Sequence, residues 1–389
     1  MTQVLINQKG FQRIRAGHPW IFRSDVALKD PPPEPGSVVS VLGPGEKFLG
    51  QAFCNPRSQI TLRMVSRNRE PLDAEFWHKR IAASIARRGT LPPNGGVRLI
   101  HGESDGLPSV ILDRYGDVLV FQTLSAGADR FKETFIELFQ KLLQPAAIVE
   151  RNDPPVRDLE GLVRQKGIVA GNLPQPLLIQ EGSFTLSVDP LEGQKTGLFL
   201  DQTENHRAAA RHVRGRVLDL FAYQGGFALA ASQNAEEVLE VLAVDSSAPA
   251  LAALQENLTR NGVKNVTTWE ANGFDFLREC DERGERFDAV ILDPPPFVRD
   301  KRNVGGAVRG YKEINLRAMK LLKPGGVLVT CSCSQNFTAE MFEATLREAS
   351  RDTRREIQVL ERRGASPDHP VLLTFPESHY LQCWILRIL

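Results

Sequence analysis

The sequence lacks the features that mark secreted, membrane-spanning or zinc-binding chains. It has only 5 cysteines in 389 residues, and no two of them have the CxxC spacing of a zinc finger. An odd and sparse cysteine count is typical of a reducing compartment. The opening segment MTQVLINQKG contains no apolar signal-peptide core, and no stretch approaches the ~18 consecutive apolar residues of a membrane helix. We therefore expect a cytoplasmic protein without a membrane span.

The sequence also has no large excess of positive or negative charge. Lys and Arg together number 48 and Asp and Glu 47, so the net charge is +1. This balance argues against a protein that coats nucleic acid through global positive charge, although a local basic surface is still allowed. A composition of 42% hydrophobic and 24% charged residues excludes a disordered or fibrous chain. At this length we expect two or three domains.

Residues 1–72 have the pattern of a small β-rich domain. Three apolar runs of strand length are separated by glycine and proline. The early segment RIRAGHPWIF brings Arg13, Arg15, His18 and Trp20 close together. A solvated edge with a packed tryptophan and an RNA-contact surface are equally good interpretations, because aromatic and basic side chains together suit base stacking and phosphate contact.

The remaining chain changes character near residue 187. Helical spacing in 74–89 and 129–143, interleaved with strand-like runs, predicts an α+β domain over 73–186. From 187 to 389, strands alternate with helices, which predicts an α/β fold with a parallel sheet covered on both faces. Ligands of such sheets bind at the carboxyl ends of the strands, so polar residues at those ends are the first site candidates.

The first strand of this alternation ends in DLFAYQGG, residues 219–226. Consecutive glycines let the chain turn tightly and let a ligand approach the backbone. The segment is neither GxGxxG nor a Walker A loop, because no GK[ST] follows. Pyrophosphate binding, and with it a dinucleotide-dependent oxidoreductase, is therefore disfavoured.

The next two strands also end in polar residues. Asp245, followed by Ser246, is suited to hydrogen-bonding ribose hydroxyls, and the alternative is an N-cap of the following helix. Asn272, followed by Gly273, could hydrogen-bond an adenine amine or cap the next helix. Both alternatives stay open for Asn272.

The fourth strand ends in DPPPF, residues 293–297, and the fifth in VLVT followed by CSCS. Three prolines fix a rigid exit loop behind Asp293. Period-2 alternation puts Cys331 and Cys333 on one face if the strand persists. The two cysteines could be buried structural residues, or one of them could be a catalytic thiol, and both interpretations stay open. Two cysteines alone are too few ligands for a metal site.

These segments, in this order, resemble class I S-adenosylmethionine-dependent methyltransferases. Three further segments point to a more specific family within this class: EGQKTGLFLDQTENH (192–206), HPWIF near the start and DHPVLLTFPESHYL near the end. Over the whole chain it is similar to the bacterial methyltransferases that modify cytosine at carbon 5 in large-subunit ribosomal RNA. The resemblance implies an N-terminal PUA-type RNA-binding domain, a central α+β domain and a C-terminal Rossmann-like catalytic domain. It also implies S-adenosyl-L-methionine as cofactor and ribosomal RNA as partner, and leaves a homodimer open.

The resemblance and the strand-end loops together assign candidate residues. The cofactor candidates are Asp201, Gln202, Asp219, Phe221, Tyr223, Gln224, Gly225, Gly226, Asp245, Ser246, Asn272, Gly273 and Asp293. Cys333 matches the family nucleophile, and Asp293 would orient the base or the cofactor. The chain departs from the pattern at Asn272, where an acid is expected. It also departs at Pro296-Phe297, which replaces the Pro-Cys of many related enzymes, so a second, product-releasing cysteine is missing there.

Other chemistries compete with this one. The Asp293 loop also resembles the Asp/Asn-Pro-Pro-aromatic signature of enzymes that methylate exocyclic amines without a thiol. A non-catalytic RNA-binding assembly factor is a third interpretation, and the intact glycine loop, Asp245 and Asp293 argue against it.

The segment RDKRNVGGAVRGYK (299–312) follows the Asp293 loop and carries Arg299, Lys301 and Arg302. It is either a phosphate-binding flap beside the target base or a solvated loop.

Overall fold

A computed structural model describes residues 1–27, 31–234, 236–297, 304–334 and 336–389. The described chain packs as two compact units. The first contains Met1–Ile179, Val188–Leu200 and Asp368–Ser378, and the second contains Gln180–Ser187, Asp201–Pro367 and His379–Leu389. The finer division into 1–72, 73–186 and 187–389 stays a proposal. In the described part of the chain, no helix is both long enough and apolar enough to cross a membrane.

A six-stranded sheet begins the first unit. Its strands are β1 (Gln3–Ile6), β2 (Trp20–Ile21), β3 (Val26–Ala27), β4 (Ser37–Leu42), β5 (Phe48–Cys54) and β6 (Leu62–Ser66), in the order β2-β6-β5-β4-β1-β3. The last three strands coincide with the apolar runs of the sequence. Helix α1 (Gln8–Arg15), which the β-rich pattern did not predict, begins at Asn7, whose side chain accepts a hydrogen bond from the amide of Gly10.

The first unit also contains a five-stranded sheet with helices packed on it. The strands are β7 (Gly96–His101), β8 (Val110–Tyr115), β9 (Val118–Thr123), β10 (Ala147–Asn152) and β11 (Gln165–Gly171), in the order β11-β10-β9-β8-β7. The helices are α2 (Ala74–Arg87), α3 (Ala126–Asp129), α4 (Lys132–Leu143) and α5 (Val156–Leu159). Asp73 caps α2 by accepting from the amide of Phe76, and the fully buried Trp77 stacks against Phe53 in the core. Strands β12 (Leu177–Glu181) and β13 (Phe184–Val188) form a separate two-stranded sheet.

The second unit is built on a seven-stranded sheet. Its strands are β14 (Gly215–Leu220), β15 (Val238–Asp245), β16 (Val266–Glu270), β17 (Phe287–Leu292), β18 (Leu322–Ser332), β19 (Ile357–Arg363) and β20 (Gln382–Ile388). Its helices are α6 (Thr203–His212), α7 (Gly226–Ser232), α8 (Ala248–Arg260), α9 (Gly273–Glu282), α10 (Val304–Leu321) and α11 (Ala339–Thr353). The strand order is β16-β15-β14-β17-β18-β20-β19; β20 runs antiparallel to both of its neighbours, and the other pairs are parallel. The α/β fold predicted from the sequence is confirmed.

The topology of this sheet places the polar strand ends together. Strands β14 and β17 are neighbours although β15 and β16 lie between them in the chain, so the strand order reverses at this point. Their inner residues, such as Leu218 and Val290, are fully buried, as in a parallel sheet covered on both faces. Because β14, β15, β17 and β18 run parallel, their carboxyl ends meet at one edge. A reversal of strand order at such an edge is where α/β sheets bind ligands.

Candidate active site

The glycine loop after β14 adopts a tight conformation. Phe221 and Tyr223 have φ of 65° and 49°, in the left-handed region that non-glycine residues seldom occupy. Gly225 has φ of 88°, and a Cβ atom there would lie 2.1 Å from Cδ1 of Leu254. A larger residue at position 225 would be strained and would require Leu254 of α8 to move, so the loop lies close to α8.

Asp219, the next-to-last residue of β14, is buried in the sheet. Burial is the largest cause of its raised pKa, and the nearby charge of Asp293 adds to it, so the pKa lies well above its ordinary value. Oδ2 of Asp219 makes no hydrogen bond to any described residue, and the same holds for Oε1 of Gln224. Buried acceptors without a partner are rare and costly. A ligand that brings hydrogen-bond donors and positive charge would satisfy both atoms.

Asp245 ties two of the strand-end loops together. Its Oδ2 accepts a hydrogen bond from the amide of Tyr223 at 2.9 Å, and its Oδ1 accepts one from the amide of Ser247, also at 2.9 Å. The cap of α8 is Ser247, whose Oγ accepts from the amide of Ala250. The capping alternative for Asp245 is therefore wrong, and the Asp245–Ser246 turn faces the same edge as the glycine loop.

Asn272 caps α9. Its Oδ1 accepts from the amides of Phe274 and Asp275 at 2.9 and 3.4 Å. The capping interpretation of Asn272 is thus confirmed, and contact with an adenine stays a prediction. A Cβ atom on Gly273 would lie 2.8 Å from the ring of Phe221, so these two residues are in close contact and join the first and third loops.

Gln202 reaches the acid at the end of β17. Its Nε2 donates to Oδ1 of Asp293 at 2.9 Å. Asp201 is buried and its Oδ2 accepts from the hydroxyl of Tyr380 at 2.6 Å, while its carbonyl accepts from Ser366. The two residues assigned through the resemblance alone therefore lie at the same sheet edge as the strand-end loops.

The two neighbouring cysteines have different surroundings. Strand β18 ends at Ser332, so Cys333 lies just beyond it, half-buried, with its Sγ 3.8 Å from the carbonyl oxygen of Pro294. Cys331 is fully buried opposite Cys383 of β20. Burial and the contact with Cys383 raise the pKa of the Cys331 thiol well above its ordinary value. Of the two thiols, Cys333 is the more exposed, and its sulfur contacts the loop that follows Asp293.

Aromatic residues of α10 and of the loop that follows Asp293 pack against one another near the end of β18. The hydroxyl of Tyr311 lies 3.0 Å from Oγ of Ser334, and burial raises the pKa of Tyr311 to about 12. The ring of Phe297 lies 4.6 Å from that of Tyr311 and 5.6 Å from that of Phe274. Sequence reasoning missed Tyr311, because a tyrosine inside an amphipathic helix carries no motif.

Two of the RNA-contact candidates, Arg13 and Arg15, lie in the last turn of α1 in the first unit. Arg13 forms an ion pair with the buried Asp25 at 3.7 Å and lies over the ring of Phe22. Arg15 is exposed and lies over the ring of Phe11. A role of either arginine in RNA binding stays a prediction, and Arg15 is the more accessible of the two.

The other two candidates of that segment are engaged within the first unit. Nε2 of His18 lies 3.2 Å from Oε2 of Glu377. Nε1 of Trp20 donates to Glu103 at 2.7 Å, and its ring packs 4.6 Å from that of Phe375. These contacts fit the packed-tryptophan interpretation, and the RNA-contact interpretation stays untested. Arg299, Lys301 and Arg302 lie outside the described residues.

Comparison with known proteins decides the family. Residues 169–374 match the S-adenosylmethionine-dependent methyltransferase family, and residues 4–67 match a PUA-like domain. The chain belongs to the S-adenosylmethionine-dependent methyltransferase family. Two curated relatives, both called "Ribosomal RNA large subunit methyltransferase I", are from Shewanella denitrificans and Erwinia tasmaniensis. Each is 39% identical to this chain, and the matches cover 95% and 100% of both proteins, respectively.

Solved structures show the same fold. A methyltransferase crystallised with SAH superposes with a TM-score of 0.86 at 19% identity, and a SAM-dependent methyltransferase from Streptococcus mutans with 0.85 at 18%. Both comparisons cover 100% of both chains. S-adenosylmethionine, the cofactor of the family, carries two cationic groups and the donor hydroxyls of a ribose. The unpartnered acceptors of Asp219 and Gln224 fit such a ligand.

Proposed function

We propose that this methyltransferase acts on carbon 5 of a cytosine in large-subunit ribosomal RNA, with Cys333 as the nucleophile. The names of the curated relatives support ribosomal RNA as the substrate. The observation that carries the chemistry is the position of the Cys333 thiol, 3.8 Å from the Pro294 carbonyl in the loop that follows Asp293. A thiol and an acid at neighbouring strand ends are two of the groups that this reaction needs.

The reaction needs a thiolate because carbon 5 of cytosine is a poor nucleophile. When the Cys333 sulfur bonds to carbon 6, the electrons of the carbon 5–carbon 6 double bond become available at carbon 5, which takes the methyl group. A base then removes the proton of carbon 5, the double bond re-forms and the thiolate leaves. Asp293 would hold the pyrimidine while this occurs. A target inside folded RNA would have to be turned out of its stack.

The chain's own residues would hold the cofactor at the same edge. Asp245 would accept from the ribose hydroxyls, and Asp219 and Gln224 would accept from the remaining donors and stabilise the cationic groups. The tight turn at Gly225 would let the cofactor approach the backbone. When bound, S-adenosylmethionine supplies an electrophilic methyl group.

Amine methylation is the less well supported alternative. It would use the Asp293-Pro294-Pro295 turn to accept from an exocyclic amine and the ring of Phe297 to stack on the base. That ring already packs against Tyr311 and Phe274. A half-buried thiol beside the loop has no task in this chemistry.

Mass mapping of nucleosides tests the proposal. Large-subunit ribosomal RNA is incubated with the protein and S-adenosylmethionine, digested and compared with untreated RNA. We expect one new 5-methylcytidine, absent with Cys333→Ala and present with the matched control Cys331→Ala. A nucleoside methylated on an exocyclic nitrogen would favour the amine alternative. Binding without any methylated product would favour a non-catalytic assembly factor.

A further inference from the structure

A chain of three hydrogen bonds connects Asp293 to the end of strand β19. Nε of Arg363 donates to Oδ1 of Asn205 at 3.0 Å, and Nδ2 of Asn205 donates to Oε1 of Gln202 at 2.7 Å. Nε2 of Gln202 then donates to Oδ1 of Asp293 at 2.9 Å. Gln202 and Asn205 are 2% and 1% exposed, so water does not compete for the middle of this chain.

The direction of the chain is fixed at both ends. An arginine side chain can only donate and an ionised carboxylate can only accept, so each amide between them has one consistent orientation. Nδ2 of Asn205 also donates to the carbonyl of Gly364 at 3.0 Å, which excludes the flipped orientation of Asn205. The side chain of Gln202 must therefore present its amino group, and not its oxygen, to Asp293.

The start of the chain is anchored by charge. Arg363 forms an ion pair with Glu361 at 2.8 Å, and His212 also hydrogen-bonds that carboxylate at 2.7 Å. Burial opposes the charge of Glu361, but the hydrogen bonds from His212 and Arg363 outweigh it and lower its pKa to about 2. The Arg363–Glu361 pair is thus fully charged at neutral pH and keeps the guanidinium in place.

Titratable groups on three neighbouring elements lie near Asp293. They are Asp219 on β14, Cys331 on β18 and Tyr311 on α10. A donated hydrogen bond favours the ionised form of a carboxyl group and restricts its rotation. The amino group of Gln202 supplies such a hydrogen bond.

We propose that Gln202 and Asn205 are positioning residues that hold the Asp293 carboxylate in the orientation that the target base requires. This inference rests on the proposed function. It gives Gln202 a role different from the cofactor contact that the family resemblance implies. Arg363 acts at the far end by fixing the orientation of Asn205.

Gln202→Glu tests the donated hydrogen bond through pH. When protonated, the new carboxyl can still donate to Asp293. When ionised, it places a second carboxylate against it. We expect kcat to approach the wild-type value at low pH and to fall by about 10–100-fold as the pH rises. A fall of this size corresponds to the loss of one hydrogen bond to a charged group. The wild-type protein should show no such fall, and cofactor affinity should be unchanged. Weakened cofactor binding with a wild-type pH profile would overturn the inference and assign Gln202 to the cofactor.

Asn205→Asp tests the next step of the chain. The change removes the Nδ2 group that donates to Gln202 and Gly364 and keeps an acceptor for Arg363. The matched control is Asn261→Asp, which also removes two donated hydrogen bonds, to the carbonyls of Thr185 and Asn257, at 2.8 and 2.7 Å. Both variants should lose similar stability, but only Asn205→Asp should lower kcat. Equal kcat in the two variants would overturn the role of Asn205.

A measurement without RNA separates this inference from the proposed function. Carbon-13 NMR of aspartate carboxyls, with Asp293→Asn for assignment, reports the pKa of Asp293 directly. That pKa should be higher in Gln202→Glu and Asn205→Asp than in the wild-type protein and in Asn261→Asp. An unchanged pKa in both variants would overturn the inference even if 5-methylcytidine is formed. A raised pKa in a protein that forms no 5-methylcytidine would instead overturn the proposed function alone.

Discussion

Asp219 and Asp293 lie at the carboxyl ends of two adjacent parallel strands, and the charge of Asp293 acts on the carboxyl group of Asp219. Strands β14 and β17 pair with Leu220 opposite Leu292, which brings the two carboxyls to the same edge. Burial, with the charge of Asp293, raises the pKa of Asp219 well above its ordinary value of 3.8. In the protein without its cofactor, Asp219 therefore keeps its proton to a higher pH than an exposed aspartate does.

This relationship predicts how stability depends on pH. Above pH 3.8 the unfolded chain loses the Asp219 proton while the folded chain retains it, so the free energy of unfolding falls as the pH rises towards the raised pKa. The fall is at most about 1.4 kcal/mol per pH unit. Asp219→Asn should remove it, so the variant gains stability over the wild-type protein as the pH rises. Urea unfolding at several pH values measures the difference.

Asp288→Asn is the control of opposite sign. Burial opposes the charge of Asp288, but the side chain of Lys323 and the amide of Arg216 outweigh it and lower its pKa. This variant should therefore be less stable than the wild-type protein above the ordinary pKa, and the gap should close as the pH falls through the lowered pKa. Parallel curves for the wild-type protein and Asp219→Asn would contradict the raised pKa of Asp219.

Gly225→Ala should cost more stability than the same change at another left-handed glycine. Gly284, on the surface, has φ of 71° and no atom within 4 Å of an added Cβ, so Gly284→Ala isolates the backbone strain, about 1–2 kcal/mol. Gly225→Ala adds the clash with Leu254 and shifts the loop, so it should also weaken cofactor binding. Chemical unfolding and calorimetry of the two variants measure these effects. Equal losses in stability would show that Leu254 does not restrict the loop.

Asp245→Ala should weaken binding of S-adenosylmethionine by about 1.5–3 kcal/mol, because charge-assisted hydrogen bonds to ribose would be removed. Part of this effect would come from the freed amides of Tyr223 and Ser247. Asp275→Ala, at an exposed position paired with Arg278, is the control and should bind normally. Calorimetry that finds wild-type affinity for Asp245→Ala would remove this residue from the site.

Neutralising Arg299, Lys301 and Arg302 together should weaken RNA binding and flatten its dependence on salt. For single-stranded RNA, the slope of log affinity against log salt should decrease by about 0.7 for every phosphate that is no longer neutralised. A control with Lys79, Arg283 and Arg347 neutralised changes the net charge equally at exposed positions and should keep the slope. If both triple variants keep the wild-type slope, the 299–302 segment is a solvated loop.

Local patterns in the sequence were enough to predict the sheet edge that carries the candidate site. Alternating strands and helices required a parallel sheet, and a parallel sheet brings Asp219, Asp245 and Asp293 to one edge. Helix α1 was missed because it is only 8 residues long and contains Gly10, and its one signal was the capping Asn7. The end of β18 at Ser332, which separates the surroundings of the two cysteines, also has no local signal.

Long-range contacts could not be predicted in the same way. Asn205 and Arg363 are 158 positions apart, and only the folded sheet brings β19 beside α6. The contact of His18 with Glu377 spans 359 positions. The composition of the segment around His18 suited RNA contact, but in the structure this histidine contacts a glutamate of the first unit. Such pairs depend on tertiary structure, and local sequence patterns carry no signal for them.

The central claim is that Cys333 bonds to carbon 6 of the target cytosine, and a trapping experiment tests it most directly. RNA carrying 5-fluorocytosine at the methylated position is incubated with protein and S-adenosylmethionine, since fluorine on carbon 5 cannot leave as a proton does. We predict a covalent protein–RNA complex with the wild-type protein and with Cys331→Ala, and none with Cys333→Ala. Peptide mass analysis should place the bond on Cys333. If Cys333→Ala still forms the complex, or methylates RNA at the wild-type rate, the Cys333 thiol is not the nucleophile.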